Sequence, residues 1–177
     1  SLEYTENVQI SSAFPISAAP TPTFPQSNVI SLFSGAYTNV PVDTWRTSWS
    51  AATLTDVNIS GNATKKCSSL NYVGIETVAN QINVSTMTHF HVDYWTPNMT
   101  AFRVKLVDFG ANASFAGGDD VEHELSFVPT QSGWNTLDIP LSNFAGLITR
   151  NHIAQLIFSG NPSGQGTVYI DNIYFHN

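Results

Sequence analysis

HFHVDYW, residues 89–95, alternates between two kinds of side chain. Successive residues of a β-strand point to opposite faces, so Phe90, Val92 and Tyr94 form one apolar row while His89, His91, Asp93 and Trp95 form the other. The first row is expected in a core. The second is expected to face outward, with Trp95 at the rim as a ligand contact. A clean period of two marks a strand of an antiparallel sheet with one face packed and one face open.

The same period recurs along the chain, in short runs separated by Gly, Asn, Asp and Pro. It predicts strands at 29–33, 44–50, 56–59, 63–68, 71–78, 89–95, 102–109, 122–128, 134–140, 153–160 and 167–176. LSNFAGLITRN (141–151) is the one stretch that suggests a short helix or turn. So many strands with no long helical period predict an all-β fold, a β-sandwich or jelly roll of two antiparallel sheets. Residues 11–28 hold four prolines and no charge, so residues 1–28 read as a linker or an arm lying on a domain that runs from 29 to 177.

At 177 residues the chain has the length of one domain with one core. Charged residues make up only 11% while aromatics reach 12%, a balance common in secreted β-proteins. The net charge of −7 opposes the phosphate neutralisation on which nucleic-acid binding relies. No apolar run is long enough to span a bilayer as a helix, and the single cysteine, Cys67, allows no internal disulfide. The opening SLEYTENVQ looks like a cut from something longer, with any export signal outside it. A secreted or cell-surface location and a monomer are expected. The five Asn-x-Ser/Thr triplets, at Asn58, Asn62, Asn83, Asn98 and Asn112, are what an Asn-, Ser- and Thr-rich chain supplies largely by chance.

Several strands present planar polar groups and aromatics on the face opposite their apolar row. A pyranose offers apolar C–H patches on its faces and hydroxyls around its rim. Rings stack on the first, and planar donors and acceptors bind the second. Trp45, Trp49, Tyr72 and Trp95, with Glu76, Arg103, Lys105, Glu124 and Gln155, supply that inventory. A Trp in a β-domain is more often a core residue than a platform, so some of these rings are expected to be buried. Arg103, Lys105 and Glu124 equally suit cross-strand charge pairs.

Other chemistries find less support. His89 and His91 have a spacing that zinc sites also use, but the sequence places no third nitrogen or thiolate ligand beside them. The acidic loop 108–124 lacks the D-x-[DN]-x-[DN]-G calcium spacing, and a hairpin turn with solvated carboxylates is expected there. Glu122 and Glu124 lie about 7 Å apart by strand rise, a separation compatible with a glycosidase pair but common to every i, i+2 pair. No nucleophile elbow, phosphate loop or HExxH motif is present, and no catalytic activity is expected.

TVYIDNIYFH at the end, GWNTLDIPLSNF before it and VISLFSGAYTNVPVDTW near the start resemble carbohydrate-binding modules of the galactose-binding-like β-jelly-roll type. The resemblance covers residues 20–177. It implies a polysaccharide or oligosaccharide ligand, with a β-glucan such as laminarin or another algal glycan foremost. It also implies a covalently linked catalytic domain in the full-length protein. It further implies a structural Ca2+ joining the first strand region to the last, with Asp171 as the closing carboxylate and Ser31 or Ser34 in the opening segment. Ser34 and Gly35 stand where that family commonly has an acidic residue. The resemblance leaves open whether sugar lies on a concave sheet face, which suits Tyr72, Glu76, Arg103, Lys105, Glu124 and Gln155, or in edge loops, which suits Trp45, Trp49 and Trp95.

Overall fold

Nine strands form where the alternation is sustained: β1 (Val29–Phe33), β2 (Ala51–Ile59), β3 (Asn62–Glu76), β4 (His89–Trp95), β5 (Ala101–Asp108), β6 (Val121–Phe127), β7 (Trp134–Pro140), β8 (Ile153–Asn161) and β9 (Gly166–His176). The structure is a computed structural model, and it describes residues 13–177. The first twelve residues of the expected linker lie outside the described residues. All strand pairings are antiparallel.

The strand β3 organises the molecule because it belongs to both layers. Its residues Lys65–Cys67 pair with β9, whereas Tyr72–Glu76 pair with β8. Between them the register slips, and Ser69 takes a left-handed φ of 49°. Such an irregularity bends a strand and increases its twist. One layer runs β6, β5, β8 and the second half of β3; the other runs β2, the first half of β3, β9, β4 and β7, with β1 also on β9. The runs 63–68 and 71–78, read separately in the sequence, are therefore one strand.

Between the layers lies the core. Phe90, Val92 and Tyr94 of β4 meet Phe102, Val104 and Leu106 of β5 and Leu156 and Phe158 of β8, all buried. The rings of Tyr94 and Phe102 stack at 4.1 Å, and those of Phe102 and Phe158 at 5.5 Å. Removing a ring from such a site costs about 3–5 kcal/mol in lost transfer energy and residual cavity. Burial also pushes the Tyr94 phenol up to about 12. The suggested helix at 141–151 is reduced to one 3-10 turn, Leu141–Asn143.

The outward row of β4 is covered, contrary to expectation. Trp95 is 3% exposed and packs edge-on against Tyr169, with Ile59, Val57 and Trp134 around it. His91 and Asp93 are buried as well. Beside His91 and Asp93 the cover is the proline-rich segment ahead of β1, which lies across this layer. Trp134 Nε1 donates to Ser17 O at 2.8 Å, Asn172 Nδ2 donates to Pro20 O at 2.8 Å, and the Phe24 ring stacks on His176 at 4.0 Å. Proline fixes φ in the extended range, so this arm loses little backbone entropy on docking.

Beneath the arm is a network of charged and polar groups. Asp93 accepts from Thr136 Oγ1 at 2.8 Å and from Asn172 Nδ2 at 2.7 Å, and faces His91 Nε2 at 3.2 Å. The other nitrogen of His91 faces Asp138 at 3.2 Å, and His176 Nε2 reaches the same Asp138 oxygen at 2.7 Å. An imidazole can donate from both nitrogens only when protonated. Burial lowers the His91 pKa, but the hydrogen bonds and charges of Asp93 and Asp138 outweigh it and the net shift is upward. At Asp138 burial raises the pKa, but His176 and His91 outweigh it and the net shift is downward.

The sign of the pH dependence follows from linkage. Protonated His91 contributes stability fully below its ordinary value of 6.5, and that contribution is lost as pH rises through its raised value. Asp138 contributes above its ordinary value of 3.8 and loses its contribution as pH falls through its lowered value. Thermal unfolding followed across this range is therefore expected to show a melting temperature that declines on the alkaline side of 6.5, with the decline flattened by His91→Gln. An alkaline limb identical in parent and variant would contradict this account of the buried pair.

Candidate functional site

The layer of β6, β5, β8 and the second half of β3 leaves part of its outer face open. On that face the pairing sets three rows across the strands: Ser126, Arg103, Ser159 and Tyr72; then Glu124, Lys105, Ile157 and Gly74; then Glu122, Val107, Gln155 and Glu76. The apolar partners of these residues point the other way into the core, which is why the polar row is left outside. Trp49, Tyr72, Arg103, Lys105, Glu124 and Ile157 line a groove of about 420 Å³ over the first two rows.

Trp49 reaches this groove from a loop that the sequence reading took for a strand. Residues 44–50 make only the isolated bridge Thr44 to Glu76. Arg46 folds back on its own loop, donating to Ala52 O at 2.7 Å and to Ser50 O at 3.1 Å. Thr47 N–H donates to Gly74 O at 3.0 Å, and Gly74 N–H donates to Ser50 Oγ at 2.9 Å. These bonds pin the loop onto β3 and lay the indole across Gly74. Trp49 is 42% exposed and Tyr72 37%, and their rings stand 6.3 Å apart at 26°. Two near-parallel exposed rings form an apolar platform at one end of the groove.

The polar side of the groove is supplied by ions and amides. Lys105 Nζ lies 3.4 Å from Glu122, an exposed pair worth little in stability. Ser159 Oγ donates to Glu124 at 3.4 Å. The Arg103 guanidinium, by contrast, has no ion-pair or hydrogen-bond partner among the described residues, so its fork of donors is available to a ligand. Glu76 accepts from Gln155 Nε2 at 2.8 Å in the third row, on the same face but outside the lining of the groove.

Five of the nine residues expected to bind ligand thus converge, namely Trp49, Tyr72, Arg103, Lys105 and Glu124, and Glu76 and Gln155 adjoin them. Two do not. Trp95 is sealed on the other layer among Tyr169, Ile59, Val57 and Trp134. Trp45 is half-buried against the core, edge-on to Phe33 at 5.6 Å with Lys65 Nζ 4.8 Å over its ring. Ser159 and Ile157 were readable from the alternation in β8, whereas Asn71 of β3, just past the register slip, and Ser163 of the turn before β9 enter the groove without belonging to its alternating rows.

The residues expected around a cation sit at the seam between the arm, the turn after β1, and β9. Asp171 is buried and accepts from Asn62 Nδ2 at 2.6 Å and from Asn172 N–H at 2.7 Å. Burial raises its pKa, the two hydrogen bonds oppose this, and the charge of Asp93 adds to the rise. Asp171, Asn62 and Asn172 line an opening of about 240 Å³ walled by Ala18–Pro22 of the arm. A carboxylate and amides beside open space fit a hard cation with oxygen ligands. Ser34 reaches this point only through Asn172, to which its hydroxyl donates at 2.8 Å, and Ser31 donates instead to Asn39 at 2.7 Å. Among the described residues no group of three or more His, Cys, Asp and Glu is arranged to hold a metal.

No protein-family profile matches the sequence, and no curated protein matches it. Solved structures do match. The family 30 carbohydrate-binding module of a cellulosomal cellulase of Clostridium thermocellum is 15% identical over 84% of this chain and 97% of its own, with a TM-score of 0.65. A family 11 module from Clostridium thermocellum, in complex with a β-1,3-1,4-mixed-linked tetrasaccharide, is 16% identical over 85% of this chain and 96% of that one, with a TM-score of 0.61. A family 29 module complexed with mannohexaose is 13% identical over 83% and 89%, with a TM-score of 0.51. At these identities the likeness is one of fold, the β-jelly roll of carbohydrate-binding modules.

Gly74 provides a direct check on how the groove is built. A Cβ there would run into the Trp49 ring and Thr47 Oγ1. Gly74→Ala is expected to displace the indole, seen as a red-shifted or quenched Trp49 emission against a Trp49→Phe control, while the far-ultraviolet circular dichroism stays that of the parent. Unchanged indole emission would show that Trp49 does not rest on this glycine.

Proposed function

We propose that this chain is a non-catalytic carbohydrate-binding module that holds a covalently attached enzyme at a polysaccharide outside the cell. The observation that carries the reading is the convergence in one open groove of Trp49, Tyr72 and Arg103, which has no partner among the described residues. Rings take the C–H faces of a hexose, and the guanidinium, Lys105 and Glu124 take its hydroxyls. The fold shared with sugar-binding modules supports the same reading.

The ligand class we propose is a neutral β-glucan, with laminarin or another algal glucan foremost. Arg103 and Lys105 in the groove face Glu124, and Glu122 beside it pairs with Lys105, so the local charges offset one another, while the net charge of −7 disfavours a strongly anionic polymer. Weak binding at one such groove suffices, because tethering raises the enzyme's concentration at its substrate without new contacts.

Affinity electrophoresis through gels containing laminarin or mixed-linked β-glucan tests the proposal. Retardation of the parent protein is expected, with Arg103→Ala and Tyr72→Ala each weakening affinity by about tenfold, the loss of one charged hydrogen bond or one stacked ring. Migration unaffected by every glucan would overturn the ligand class, and retardation unaltered in both variants would place the site elsewhere.

We propose in addition that a calcium ion binds at the opening beside Asp171, where it would neutralise two carboxylates that now repel each other across the buried seam. A cation bound only to the native state stabilises it by mass action. Excess chelator is therefore expected to lower the melting temperature by several degrees. An unchanged melt, with no metal found by elemental analysis, would refute the proposal.

A further inference from the structure

Trp49 stands at the third position of a β-turn, Thr47 to Ser50, closed by the Ser50 N–H donating to Thr47 O at 3.1 Å. A turn gives its central residues no strand neighbours, so a ring carried there swings unless both ends of the turn are fixed. Here both are. Thr47 and Ser50 are buried, their hydroxyls pair at 2.7 Å, and β3 holds each of them through Gly74.

Arg46 makes a second clamp on the same turn. Its guanidinium donates from Nε to Ala52 O at 2.7 Å, from Nη2 to Ser50 O at 3.1 Å and from Nη1 to Thr47 O at 3.3 Å. Carbonyls from either side of Trp49 are thus drawn onto one planar group. The backbone of Arg46 is itself fixed by Thr44 Oγ1, which accepts from Arg46 N–H at 3.1 Å and donates to Arg46 O at 2.8 Å. Ala52 falls where the register between β2 and β3 slips, next to the pairing of Ala51 with Tyr72. The guanidinium therefore ties the turn that carries one ring of the platform to the strand that pairs beside the other. Arg46 is exposed and does not line the groove. An exposed arginine ordinarily keeps its head in water, whereas this one commits its donors to its own loop. Its position leaves it one route to a ligand, through the indole.

We infer that Arg46 is a positioning residue of the glycan site, holding the Thr47–Ser50 turn so that the Trp49 ring is already in place when a sugar arrives. The inference rests on the proposed function of the groove and adds to it the group that sets the platform. Ordering a mobile turn during binding costs conformational entropy, and a platform ordered beforehand removes that cost from the binding step. The geometry calls for arginine in particular. A lysine carries the same charge, but as a compact head on a flexible stem, and offers no planar fork to the three carbonyls.

Arg46→Ala and Arg46→Lys, each alone and combined with Trp49→Ala, test the inference in calorimetric titrations with laminarihexaose and the corresponding mixed-linked hexasaccharide. Each Arg46 variant is expected to bind about 3- to 10-fold more weakly than the parent, and to add no further loss once Trp49 is replaced by alanine. A second readout needs no ligand. The heteronuclear NOE of the Trp49 indole N–H, which reports fast local motion, is expected to fall in both Arg46 variants while the indoles of Trp45, Trp95 and Trp134 keep their parent values. Parent affinity in Arg46→Lys would overturn the inference, since charge without the fork would then suffice. Equal losses with and without Trp49 would also overturn it, because they signify a direct contact or a disturbed fold, as would a Trp49 indole no more mobile in the variants than in the parent. Failure of the parent to bind either glucan would instead remove the groove's proposed function, and this inference with it.

Discussion

The arrangement depends on one strand passing through both layers. The bend in β3 at Ser69 sends its first half to β9 and its second half to β8, so a single chain segment fixes how the layers face each other. Everything apolar on the facing sides then fills the core, and the remaining question is what becomes of the two outer faces. They have opposite fates. The proline-rich arm lies across the face of β4, β7 and β9, whereas the face of β3, β5, β6 and β8 stays open over Tyr72, Arg103, Lys105 and Glu124, with the loop that carries Trp49 at its edge.

That asymmetry explains the chemistry of each face. Under the arm, the buried Asp93, His91 and His176 bond to polar partners in a network that opens to solvent at the part-exposed Asp138. On the open face Arg103 is left without a partner among the described residues, and Trp49 and Tyr72 keep part of their rings in water although each costs hydrophobic free energy there. Unsatisfied donors beside exposed rings are poor for stability and well suited to a ligand with hydroxyl edges and apolar faces.

The strands were largely legible in the sequence, since a period of two is a local property. VISLF, HFHVDYW and WNTLDIP end where the alternation ends. Runs 63–68 and 71–78 were split because Ser69 interrupts the pattern without ending the strand. The segment 44–50 has strand composition but forms a loop, because Arg46 takes up the carbonyls of Thr47, Ser50 and Ala52 that a strand ladder would use. The site was legible where it depends on a face, as with Tyr72, Arg103, Lys105 and Glu124. It was illegible where it depends on another segment: alternation put Trp95 outside the main core correctly, but Ile59, Tyr169 and Trp134 from other strands decide that this outside is dry. Trp49 entered the groove and Trp45 did not for the same kind of reason, since a glycine two strands of sequence away makes the space for one of them.

Four tryptophans sample every environment in this account: Trp45 against the core, Trp95 and Trp134 beside the arm, and Trp49 over the groove. Their indole N–H resonances, assigned by substitution and followed while laminarihexaose is added, interrogate the two faces at once. The account predicts that the Trp49 signal moves in a saturable way while the other three hold still. Movement confined to Trp95 or Trp134, with Trp49 unmoved, would contradict it.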